Sequence, residues 1–122
     1  MRKLHMLSLA ALMVVCGTAL PAHAAKKKAT IKVVNQSKWE IHHLYLSSTS
    51  DHQWGPDQLG DEVIGTGESF TLTKIDCDDY DIRIVDEDGD ECVVNEVNMC
   101  GDATVWKITD KILLACENQS GD

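Results

Sequence analysis

Basic residues are scarce in this chain. Eleven Lys and Arg face twenty Asp and Glu over 122 residues. A field of that sign repels phosphate backbones, which argues against a nucleic-acid partner. Long apolar runs are lacking too. The longest, Leu7 to Leu20, is broken by Ser8, Gly17 and Thr18. It falls short of the roughly 20 residues a membrane-spanning helix needs. Catalytic signatures are also missing. There is no G-x-S-x-G elbow, no H-E-x-x-H, no phosphate loop and no cofactor fingerprint. Among twenty acids, nothing singles out a carboxylate pair for glycoside cleavage. No long amphipathic helix and no internal repeat is visible. A small hydrolase is therefore the weakest of the functional readings.

The N-terminus reads as an export signal. Arg2, Lys3 and His5 form a basic start, the apolar run follows, and Ala22-His23-Ala24 supplies small residues where a signal peptidase reads. Cleavage is expected after Ala24, giving a signal peptide over residues 1–24 and one domain over residues 25–122. No membrane span is expected in the mature chain. Cys16 follows a bulky Val15, which argues against lipid attachment there. The mature chain carries nine Lys plus Arg against twenty Asp plus Glu, a net charge of −11.

Four cysteines remain: Cys77, Cys92, Cys100 and Cys116. Their spacing holds no C-x-x-C knuckle, so two disulfides are expected rather than a zinc site. Three pairings are open. Hairpin geometry favours Cys77 with Cys100, leaving Cys92 for Cys116.

Short apolar and alternating runs predict strands at Thr30–Val34, Trp39–Ser47, Glu62–Ile64, Ser69–Thr73, Tyr80–Val85, Cys92–Val94 and Val105–Ile108. Within Trp39–Ser47, strict alternation puts Trp39, Ile41, His43, Tyr45 and Ser47 on one face. Glu87-Asp88-Gly89 between two strand runs predicts a hairpin. A three-residue loop with Gly89 left-handed would set Cys92 opposite Ile84; a two-residue turn would set it opposite Val85. Thr109-Asp110 caps a short helix or precedes another strand. The expected fold is all-β: a small antiparallel β-sandwich, Ig/C2-like, disulfide-braced, with a possible short C-terminal helix.

The order Asn35-x-Ser37, Leu44-Tyr45-Leu46-Ser47, Trp54-Gly55-x-Asp57-x-Leu59-Gly60, Gly67-x-Ser69-Phe70, Tyr80-Asp81-Ile82-Arg83 and Asp86-Glu87-Asp88-Gly89-Asp90 resembles a family of small exported bacterial β-rich domains. The likeness runs from about Thr30 to Cys116. It implies a periplasmic or extracellular location and a sandwich-like fold. It brings no catalytic residues.

Three constellations are candidates for chemistry. Asp86, Asp88 and Asp90 place hard oxygen ligands on a tight turn, as calcium requires. Asp76, Asp78, Asp79 and Asp81 would join them if their loops converge. The spacing is not that of an EF-hand, and a solvated hairpin tip that guards strand edges is the competing reading. His42, His43 and His52 are metal ligands by type, but successive strand residues point to opposite faces. Trp54 and Asp57 lie on a loop where an aromatic anchors a partner or plugs the core. Two Asn-x-Ser sequons, at Asn35 and Asn118, bear on a eukaryotic secretory pathway only. The leading expectation is a secreted, non-catalytic binding module for an unknown protein or cell-envelope ligand, with calcium as the candidate cofactor. A secreted inhibitor or toxin-like effector, with an acidic surface for a basic partner, is the second.

Overall fold

The computed structural model describes residues 17, 27–101 and 104–119, with side chains through residue 116. The expected signal peptide therefore lies, apart from Gly17, outside the described residues.

Six strands and one helix follow in order: β1 (Lys28–Gln36), β2 (Ile41–Ser48), β3 (Ser69–Asp76), β4 (Asp78–Asp86), β5 (Glu91–Met99), β6 (Thr104–Thr109) and α1 (Asp110–Gln119). They form two three-stranded sheets, ordered β3-β1-β6 and β2-β4-β5. The domain is mostly strand and braced by two disulfides, as expected. One pairing departs from an all-antiparallel pattern: β1 and β6 run parallel.

The alternation of β1 explains its place at the centre of the first sheet. Ala29, Ile31, Val33 and Asn35 are buried, while their neighbours are exposed or half-buried. In the second sheet β4 is central and turns Tyr80, Ile82 and Ile84 inward. At about 25 cal/mol per Å² of apolar surface, a core of this kind is the main favourable term.

β2 corrects the expected alternation. Strict alternation sets Ile41 on the face of His43 and Tyr45, opposite Leu44. A register shift falls between Ile41 and His43, and Ile41, Leu44 and Leu46 are all buried. The extra residue of a bulge changes the side to which the chain before it points. The strand expected at Glu62–Ile64 reduces to one bridge, Ile64 with Ile41. The remaining strands occur where expected, most of them longer.

The β4–β5 hairpin has the three-residue loop. Gly89 has a φ of 82°, Asp86 N–H donates to Asp90 O at 3.1 Å, and Ile84 faces Cys92. That register buries Cys92. The residues after β6 are helical. Thr109 Oγ1 accepts the Ile112 N–H at 3.3 Å, a cap for the first turn.

The disulfides are Cys77–Cys100, with Cα atoms 4.4 Å apart, and Cys92–Cys116, at 5.3 Å. This is the pairing that hairpin geometry favoured. The second ties β5 to α1, which lies against β5 and β6. On the β2 side, the segment from Trp54 to Glu68 crosses between the sheets. Leu59 and Ile64 from it are buried.

That crossing is pinned by one buried amide. Asn35 Nδ2 donates to Trp39 O at 2.7 Å and Ile64 O at 2.8 Å. Asn35 Oδ1 accepts the Ser37 N–H and hydroxyl at 3.0 and 2.6 Å. Both side chains are fully buried. The Asn35 sequon is therefore a structural staple with no room for a glycan.

Candidate functional site: the outer face of sheet β2-β4-β5

β2 is an edge strand. An open edge invites pairing with another chain. The Trp54–Gly60 block covers it. Gly55 N–H donates to Leu46 O at 2.9 Å, and Gln58 N–H to Leu44 O at 2.7 Å. Pro56 has no N–H to leave unpaired. The Leu44 N–H finds the Asp57 carboxylate, Oδ1, at 3.0 Å. A carboxylate thus takes the place of a neighbouring strand's carbonyl. Gly55 lies close, since a Cβ there would meet Leu46 O at 3.4 Å.

Asp57 is fully engaged. Its Oδ1 also accepts the Leu59 N–H at 3.1 Å, and its Oδ2 lies 2.6 Å from His43 Nδ1. Burial pushes the Asp57 carboxyl up. The hydrogen bonds from His43, Leu44 and Leu59 outweigh burial and hold it below the ordinary value of 3.8. The geometry gives Asp57 a fixed place in the fold: it seats the loop.

Trp54 is placed differently. It is 39 % exposed, on the outside of the sheet. The Arg83 guanidinium carbon lies 5.5 Å from its ring centroid and 4.3 Å from that of Tyr45. Tyr45 and Arg83 are direct cross-strand partners, and Arg83 is the partner of Val93 on the next strand. His43 stacks on Tyr45, with ring centroids 6.2 Å apart. A ladder of rings and one cation therefore runs over the outer face.

Arg83 is the only arginine after Arg2. Among the described residues it joins no ion pair, although acids outnumber bases about two to one. Its Nε is buried without a hydrogen-bond partner. An unmet buried donor costs about 1–3 kcal/mol, and contact with the two rings offsets part of that.

Beyond Val93 the same face reaches a groove of about 240 Å³ beside α1, lined by Val93, Val94, Asn95, Ile112, Ala115 and Cys116. Val93 is 40 % exposed.

The acidic turn is compact. Oxygens of Asp86, Asp88 and Asp90 all lie within 4.8 Å of one another. Asp86 is buried, and its Oδ1 accepts the N–H groups of Asp88 and Asp90 at 2.9 and 3.0 Å. This hydrogen bonding accounts for the loop's shape by itself. The other acids do not converge on it. Asp76 pairs with Lys28, and Asp78, at the far end of β4, accepts from Ser48 Oγ at 3.1 Å. Asp79 binds Asn98 Nδ2 at 2.8 Å, and Asp81 accepts the Glu96 N–H at 3.0 Å. Nor do the histidines assemble. His43 is held by Asp57, His42 lies 3.7 Å from Glu40, and no metal-ligating group among the described residues includes them.

Sequence reasoning placed Tyr45 and Arg83 on strands but gave them no role. Their meeting depends on the β2–β4 register, and no local signal carries it.

No family model matches the chain, and no curated protein does. Among solved structures, the NMR structure of a protein from Eubacterium rectale is similar in outline. It is 15% identical, with a TM-score of 0.49, over 72% of this chain and 82% of that one.

Proposed function

We propose that the domain is an exported, non-catalytic binding module whose contact surface is the outer face of sheet β2-β4-β5, centred on Trp54, Tyr45 and Arg83. One observation carries the reading. A single arginine is held over two rings on an open face and joins no ion pair among the described residues. Arginine and aromatic side chains are the residues that most often anchor interfaces. Export is supported by the residue pattern of the first 24 positions and by two disulfides. No helix among the described residues is long and apolar enough to cross a membrane.

The test is an array of peptides and cell-envelope polysaccharides, probed with the mature oxidised domain and with Trp54→Ala. The proposal expects a retained ligand that Trp54→Ala loses while unfolding at nearly the same temperature. Retention that ignores Trp54 would sink it. An acidic inhibitor or effector would instead hold a basic partner regardless of Trp54, and release it at high salt.

Calcium assistance rests on the proximity of the Asp86, Asp88 and Asp90 oxygens. It predicts that calcium raises the unfolding temperature by several degrees and that Asp88→Asn removes the rise. An unchanged unfolding temperature at millimolar calcium would leave the turn as a solvated hairpin tip.

A further inference from the structure

We infer that the ligand of this face is a segment of a partner protein carrying a carboxylate and, about 10 Å away, an apolar side chain. The inference rests on the binding-module reading and names what the module would take. Two independent features support it. The first is Arg83, whose guanidinium lies over two rings and joins no ion pair among the described residues; its Nε is buried, so a ligand would meet the two Nη groups. A planar guanidinium fixed in orientation suits a carboxylate, which it can meet with two parallel hydrogen bonds. Two acids of this sheet have partners of their own: Asp81 accepts the Glu96 backbone N–H and Asp79 accepts the Asn98 side-chain amide. A carboxylate from outside would meet the one strong cation on this face.

The second feature is the groove beside α1. Val93 is the direct partner of Arg83 on β5, and it lines that groove with Ile112 and Ala115. The guanidinium lies over Tyr45, on the β2 side of Arg83, so cation and groove are about two strand spacings apart, roughly 10 Å. One face thus offers a charged anchor and a groove with apolar side chains of Val93, Ile112 and Ala115 in a fixed relation. The strongly negative domain disfavours a polyanion and leaves room for a single, locally matched carboxylate.

Short synthetic peptides supply the probe. Each carries one Glu and one Leu at a stated separation, with a Gln counterpart for each. The readout is NMR. After signal removal Arg83 is the sole arginine, so its Nε–H gives one assignable signal. The expected result is a peptide that shifts this signal and the Val93 and Ile112 methyls with one Kd. The Gln counterpart should bind about tenfold more weakly, and Arg83→Lys should lose a similar factor, because the charge remains but the fork does not. Ala115→Gln, which crowds the groove without adding a charge beside the guanidinium, should weaken binding while leaving the Arg83 signal of the free protein in place. The inference fails if no peptide moves the Nε–H signal at millimolar concentration, or if Glu and Gln peptides bind alike. If Trp54-dependent binding of another ligand survives such a result, the module stands and only this ligand class falls.

Discussion

The two open sides of this sandwich are closed by different means. Beside β5 and β6 the closure is covalent: Cys92–Cys116 straps α1 down, with Leu113 buried beneath it. Beside β2 it is polar and local. Asp57 and the Gly55 and Gln58 N–H groups cover the strand edge, Leu59 and Ile64 fill the core, and Asn35 pins the crossing. The first closure needs little from the loop chemistry around it. The second depends on residue types at fixed places, which explains why the Trp-Gly-x-Asp-x-Leu-Gly block is so particular. Gly55 permits close approach, Asp57 substitutes for a strand carbonyl, and Leu59 enters the core. Trp54 is the exposed aromatic of the block and stands over Arg83.

Breaking each side should sharpen that contrast. The largest loss is expected from the covalent side. Replacing Cys92 and Cys116 together by Ala opens a loop of 24 residues in sequence separation. Chemical denaturation should then show about 3 kcal/mol less stability. Asn35→Ala should follow at about 2–3 kcal/mol, because Trp39 O and Ile64 O lose a buried donor. A loss under 1 kcal/mol would show that water replaces the amide.

How much of this was legible in the sequence divides along the same line. The existence of the β4–β5 hairpin was readable, since Asp and Gly between alternating runs mark a turn, while the place of Cys92 stayed open between two loop lengths and is fixed by the observed register. That register alone would set Cys77 opposite Met99; a shift between Tyr80 and Ile82 brings Cys100 level with Cys77, and the pairing of Cys92 with Cys116 came from elimination. The polar side was not readable. A bulge near His42 overturned the simple alternation of β2, and no local pattern announces a carboxylate acting as a strand acceptor. Trp54 and Asp57 looked alike as loop candidates. Coordinates separate them, because one is fully hydrogen-bonded and the other stands over Arg83.

Asp57 gives the next effect down. Its carboxyl is held below 3.8, so it stabilises the fold when ionised. That contribution is complete above the unfolded-state value and is lost as the pH falls through the lower folded-state value. Wild type should therefore lose stability on acidification below about pH 4 more steeply than Asp57→Asn, which should be weaker at neutral pH. Parallel curves for the two proteins would show that Asp57 seats nothing. Trp54→Ala should have the smallest effect on stability, under about 1 kcal/mol, the scale of an exposed cation–aromatic contact.

The most direct measurement pairs thermal unfolding with ligand retention for Trp54→Ala. A shift of less than about 5 °C together with lost binding is the predicted result, since 1 kcal/mol moves a domain of this size by about 4–8 °C. A drop well beyond 8 °C with binding retained would make Trp54 a plug for the β2 side, and would contradict the assignment of this face as the contact surface.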